Sequence, residues 1–211
     1  WNNERGMAAD RIPGMGLWEV MGCRETGITT GDKGRTELRW TASAFPGMKP
    51  GDTLPARWYE EALAPMNPNA LVVAEFAGGR AAAIESRFGK GKTLTLGSYV
   101  SAAYFTAPSD AAARFFTGLL EWAGVALPVE TSAKDLEVRY LESGADRLVF
   151  VFNHSRQAVE TPVSIRLGAG TWSAVDLVTD SPVALEHSGS AVRFRTKLGP
   201  DGVLALKASP K

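Results

Sequence analysis

The chain has 211 residues, 45% hydrophobic and 22% charged, a balance that suits one or two ordinary globular domains with a sizeable core. Lysine plus arginine and aspartate plus glutamate both number 23, so no global field draws the chain to nucleic acid or an anionic membrane, and neither partner is expected. Cys23 is the only cysteine, which excludes an internal disulfide and a cysteine-based zinc site, and no apolar run reaches the roughly 18 residues of a membrane span.

The opening residues Trp1-Asn2-Asn3-Glu4-Arg5 have no apolar segment of the kind a signal peptide needs, and the chain reads as a fragment or a processed product. Its compartment is left open, with the cytoplasm as the default. Residues 1 to 70 carry Pro13-Gly14, Pro46-Gly47 and Pro50-Gly51, which mark turns and argue against long regular elements there. Leu17 to Met21 fits one short helical turn, and Arg57 to Leu63 fits helix and strand equally. From Leu71 the pattern sharpens. Leu71 to Phe76, Ala81 to Arg87 and Thr93 to Gly97 are predicted strands, separated by turns at Gly78-Gly79 and Phe88-Gly89-Lys90-Gly91-Lys92. A helix follows Ser109, a good N-cap, with Phe115, Phe116, Leu119, Leu120 and Ala123 on one face and Gly124 as its stop.

Val125 to Lys134, with Pro128, reads as a linker. Beyond it come strand-like runs at Glu137 to Leu141, Leu148 to Asn153, Pro162 to Leu167, Trp172 to Val178, Val183 to Glu186, Val192 to Thr196 and Val203 to Lys207. Turn residues separate them at near-regular intervals with no helical pattern between, which is the signature of a small antiparallel β-sandwich. The division is therefore 1–127 and 128–211.

Candidate chemistry is sparse. Cys23 lacks the preceding strand and following helix of a nucleophile elbow, and both histidines, His154 and His187, lie in the second domain. Neither histidine has a partner at metal-ligand spacing. Asn153-His154-Ser155 matches the Asn-x-Ser acceptor pattern, which counts only in a glycosylating pathway, and it equally suits a turn. Gly89-Lys90-Gly91-Lys92 lacks P-loop spacing and leads into a strand, so it reads as a basic hairpin. Glycoside cleavage needs two carboxylates roughly 5 to 10 Å apart; the nearest pair, Glu60-Glu61, is adjacent and points in different directions. Catalytic, cofactor and metal residues are therefore all expected to be none. Trp172 is the best candidate for a sugar-stacking platform, while Trp18, Trp40, Trp58 and Trp122 sit among apolar residues and suit packing or interfaces.

Several stretches resemble the C-terminal region of glycoside hydrolase family 42 β-galactosidases: Pro13 to Gly22, Leu71 to Phe76, Arg80 to Ala83 with Phe88 to Lys92, Leu96 to Tyr99, Trp172 to Leu177 and Leu198 to Leu206. The resemblance implies an α/β trimerisation domain, flavodoxin-like and similar to class I glutamine amidotransferases, lacking its first part and followed by the small β domain. It also implies a parent that hydrolyses terminal β-D-galactosides in a TIM-barrel domain absent from this chain, and a homo-oligomer, a trimer in that family. The catalytic glutamates belong to the barrel, so none carries over. An incomplete first domain would leave a sheet edge for the missing segment or a partner to cover. Two rivals stand beside this scaffold reading: a carbohydrate-binding module using Trp172, and an amidotransferase-like enzyme using Cys23.

Overall fold

The computed structural model describes residues 1–42 and 45–211. These divide into two units, Trp1–Val125 and Ala126–Lys211. The first opens with a short helix, α1 (Leu17–Met21), which stops at Gly22 in the left-handed region (φ 68°). Strands β1 (Cys23–Trp40) and β2 (Thr53–Pro65) then form a long antiparallel ribbon. With β3 (Leu71–Glu75), β4 (Ala81–Phe88) and β5 (Gly91–Leu96) they make one sheet of order β2-β1-β3-β4-β5.

The ribbon corrects the expectation that nothing long precedes residue 70, and it settles Arg57 to Leu63 as strand. Strands announce themselves by alternation of buried and exposed side chains. Between Cys23 and Leu38 most of β1 faces water on both sides, so that alternation is missing. Its glycines also mimic turn signals. The register slips between Glu25 and Gly27 and again between Thr30 and Arg35, so the ribbon bends at these irregularities and does not end there.

The expected flavodoxin-like α/β layer does not appear. Every strand pair in the sheet is antiparallel, and β3, β4 and β5 follow one another through tight turns. Parallel neighbours would need crossovers of about a dozen residues or more. The sheet also curls back on itself: the Glu61 amide donates to the Gly97 carbonyl at 2.8 Å, and the Gly97 amide donates to Ala82 at 2.8 Å. A Cβ at position 97 would lie 2.0 Å from the Glu61 carbonyl oxygen, so this meeting requires glycine.

Two helices follow, α2 (Val100–Thr106), which the sequence pattern did not reveal, and α3 (Asp110–Ala123), which it did. The Ser109 hydroxyl accepts the Ala112 amide at 3.3 Å, and Gly124 ends α3 at φ 71°. Phe115 of α3 packs on Trp40 and Phe45, with ring centroids 6.0 and 5.4 Å away, in the core of this unit.

The second unit is the expected antiparallel sandwich. Its nine strands are β6 (Val129–Thr131), β7 (Leu136–Ser143), β8 (Asp146–Asn153), β9 (Val159–Arg166), β10 (Trp172–Asp176), β11 (Ser181–Val183), β12 (Glu186–Ser188), β13 (Ala191–Leu198) and β14 (Val203–Pro210). One sheet runs β11-β10-β14-β8-β7 and the other β12-β13-β9-β6. Alternation does its ordinary work here: Val192, Phe194 and Thr196 point inward and Arg193, Arg195 and Lys197 outward. Val149 and Val151 meet Val163, Ile165 and Phe194 in the core. Strand β6 falls inside the stretch read as a linker.

Candidate functional site

The sequence-predicted candidates are scattered, and most are occupied structurally. Cys23 is fully buried against Leu63 and Ile84. Burial pushes its thiol up, opposed by a hydrogen bond with Thr95 and reinforced by the charge of Glu61, so the reactive thiolate is disfavoured. His154 Nε2 lies 2.7 Å from Glu137 Oε2, and Glu137 is held below the usual carboxylate range first by that contact and then by Arg139. His187 is exposed on β12. Among the described residues, no three His, Cys, Asp or Glu side chains gather as metal ligands, and no helix is long and apolar enough to cross a membrane.

Asn153 is 2% exposed. Its Nδ2 donates to the carbonyls of Gln157 and Gly199 at 2.8 Å and to that of Leu198 at 3.3 Å, while its Oδ1 accepts the Ser155 amide at 3.0 Å. The acceptor pattern is thus spent on closing a turn, and the nitrogen a glycan would need is inside the fold. Lys92 of the basic hairpin donates to the Trp122 carbonyl and sits 4.5 Å over the Trp122 ring. A cation is favourable there, at the carbonyl end of α3. Trp172, the expected sugar platform, is 7% exposed and packed in the sandwich core with its indole N–H unpartnered. It cannot offer a face to a ligand.

Glu60 and Glu61 do part, as adjacent strand residues must. Glu60 accepts from Thr36 at 2.6 Å and pairs with Arg80. Glu61 turns the other way and meets Glu25, which the bulge at Glu25/Gly27 brings to the same side of the ribbon. Burial, then the hydrogen bond and the charge of Glu25, raise the Glu61 carboxyl to about 7. The Trp1 indole donates to Glu25 Oε2 at 3.0 Å.

Around Glu61 lies a hollow of about 200 Å³ whose walls include Trp1, Tyr59, Ser98 and Tyr99. Tyr99 also borders a second, open hollow of about 670 Å³ formed with Trp58, Tyr104, Phe105 and Pro108. Trp58 stands in the left-handed region at φ 73°, a conformation that costs a bulky residue about 1–3 kcal/mol. It falls in the second register slip of the ribbon, between Arg57 and Tyr59. The outcome is an indole turned outward, 49% exposed, edge-on to Tyr99 at 5.1 Å between centroids. Phe105 on α2 is 89% exposed beside it. Sequence reasoning named Trp58 as a packing or interface residue and missed Glu25, Tyr59, Tyr99 and Phe105. The one visible signal was the density of aromatics at Trp58-Tyr59 and Tyr104-Phe105.

No protein-family description and no curated protein matches the sequence. Solved structures do. The β-galactosidase of Bacillus circulans sp. alkalophilus aligns with 95% of this chain and 26% of its own, at 19% identity and a TM-score of 0.69. A family GH42 β-galactosidase from G. stearothermophilus aligns with 93% of this chain and 25% of its own, at 16% identity and a TM-score of 0.64. The cold-adapted β-galactosidase of Rahnella sp. R3 aligns with 98% of this chain and 26% of its own, at 14% identity and a TM-score of 0.67. The chain spans about a quarter of the length of these enzymes. At such identities the likeness is one of fold, and this chain has the fold of a quarter-length segment of β-galactosidases, glycoside hydrolase family 42 among them.

Proposed function

We propose that this chain is the C-terminal, non-catalytic assembly region of a family 42 β-galactosidase-like enzyme. In this reading a TIM-barrel domain outside the chain hydrolyses terminal β-D-galactosides, and the first unit joins copies into a homo-oligomer, a trimer by resemblance. The domain limits read from sequence, 1–127 and 128–211, are kept as part of this proposal. The observation that carries it is the aromatic face of Trp58, Tyr99 and Phe105. Large apolar side chains at this exposure are costly to leave in water, and a strained backbone that turns an indole outward marks a residue with a partner. A second copy of the same face is the occupant that the assembly role requires.

Two further observations support a holding role. The Glu25–Glu61 pair is in hydrogen-bonding contact, whereas retaining and inverting glycosidases hold their carboxyls about 5–5.5 Å and 6.5–9.5 Å apart. The buried, protonated Cys23 gives the amidotransferase reading no nucleophile.

Light scattering on the purified chain tests the proposal. An oligomer is expected for the native sequence, and Phe105→Asp is expected to shift it towards the 22.5 kDa single chain, since burying an unpaired carboxylate in an aromatic contact costs about 2 kcal/mol or more. Phe105 is exposed, so the thermal midpoint of the single chain stays put. A native chain of 22.5 kDa at every concentration contradicts the reading.

A further inference from the structure

The second unit carries a hollow of its own, about 220 Å³, on the outer face of the β12-β13-β9-β6 sheet, and it shares no residue with the aromatic face of the first unit. Sheet register explains how it forms. Ser188 of β12, Ala191 of β13 and Arg166 of β9 lie side by side across the sheet, and the next row is Glu186, Arg193, Ser164 and Glu130. The small side chain of Ala191 leaves a depression that Arg166 and Arg193 wall, and the tight turn after Ser188 adds the Ser190 hydroxyl. We propose that this hollow binds the carboxylate of a small organic acid carrying one negative charge, with the Arg193 guanidinium as its fork and the serine hydroxyls on the acid's other polar atoms.

Three features select this class of ligand. Arg193 is exposed, and among the described residues its one side-chain bond runs from Nε to the Ser164 hydroxyl at 3.4 Å. The edge formed by its two terminal nitrogens is therefore open, and that edge can hold both oxygens of a carboxylate. Glu186 lies opposite Arg193 on β12, yet the ion pair at this end of the sheet is a different one, Arg166 Nη2 with Glu130 Oε1 at 3.0 Å. The second feature is charge. Arg166 and Arg193 are diagonal neighbours, a spacing of roughly 7–8 Å, and Glu130 offsets only one of the two cations. An anion of one charge completes the set, whereas a phosphate group brings close to two charges at neutral pH and would meet Glu130 in the wall. The third is size and polarity. At about 220 Å³ the hollow is smaller than the roughly 300–1,000 Å³ of drug-sized ligand sites, which suits an acid of a few heavy atoms. The hydroxyls of Ser188 and Ser190 both donate and accept, a match for a hydroxyl next to the carboxylate, as in a 2-hydroxy acid.

Proton–nitrogen NMR titration of the whole chain with L-lactate tests the site, read at the Ser190 and Ala191 amides and at the Arg193 Nε–H. Ionic strength is held constant with sodium chloride, so that general screening is the same at every point, and inorganic phosphate is the rival probe. Saturable shifts are expected with a dissociation constant on the order of 10 mM, the range for a few polar contacts on an exposed surface. Phosphate is expected to bind about tenfold more weakly or not at all. Arg193→Gln weakens lactate binding about tenfold, and Arg193→Lys, which keeps the charge and loses the fork, also weakens it, by less. Glu130→Gln releases Arg166 and takes a negative charge out of the wall, so it tightens lactate about threefold and admits phosphate. Arg193 and Glu130 are exposed, so these variants keep the native thermal midpoint, which verifies that each is folded. Four outcomes overturn the proposal: no saturation by about 100 mM lactate, unchanged affinity in folded Arg193→Gln, phosphate binding the native chain as tightly as lactate, or no gain in folded Glu130→Gln. Light scattering reads the aromatic face of the first unit separately, so a failed lactate titration leaves the assembly reading standing, and a monomeric chain leaves the titration interpretable.

Discussion

Glu61 keeps its proton to about 7 in the folded chain, whereas the same group in an unfolded chain lets go near 4.5. Between those values the native state holds the extra proton, so the contribution is complete below 4.5 and is lost as pH rises through about 7. The thermal midpoint of the native chain is therefore expected to fall from about pH 5 to about pH 8, and Glu61→Gln to flatten that part of the curve. A parallel pair of curves would show that Glu61 is not raised in the folded chain. Asn153 makes the opposite kind of contribution, one that pH leaves alone. Asn153→Ala removes the bonds that tie the end of β8 to the Gln157 carbonyl and to the Leu198 and Gly199 carbonyls at the end of β13, at a cost of about 1–3 kcal/mol measured by denaturant unfolding. Expression in a glycosylating host is expected to leave the native residue unmodified, as intact mass will show. At this scale the sequence was a poor guide. Glu25 and Glu61 stand 36 positions apart and meet only through a bulged register, and Asn153 looked available because its acceptor pattern does not report burial.

Elements were legible where water and core alternate. Strand β13 reads buried and exposed by turns, and α3 carries its own start and stop in Ser109 and Gly124. The β1–β2 ribbon was illegible because most of β1 is wet on both faces and the glycines at its bulges look like turns. The α/β expectation came from family resemblance. The residues themselves, with Gly78-Gly79 and Gly89-Lys90 between short strands, already indicated antiparallel hairpins. One element-scale test sets two effects against each other. In an isolated helix, Gly118→Ala is worth about 1 kcal/mol of added stability. In α3 the new Cβ would stand 1.8 Å from the Pro46 carbonyl oxygen, and overpacking of this kind costs about 1–3 kcal/mol or more. A net loss is expected in chemical denaturation, and a more stable variant would mean that α3 does not pack so closely.

Across the whole molecule the two units each bring their own core, and the groups that could break a bond are dispersed between roles of support. Cys23 is buried, Glu60 and Glu137 are paired with cations, and Glu25 and Glu61 touch each other. What the surface of the first unit offers is rings: Trp58, Tyr59, Tyr99 and Phe105. Under the proposed function, such a chain would hold copies together while cleavage happens in a domain outside it. The most direct test is hydrolysis of a chromogenic β-galactoside by the purified chain at neutral pH. The account predicts release no faster than buffer alone; turnover by the chain that disappears in Glu25→Gln or Glu61→Gln would contradict it.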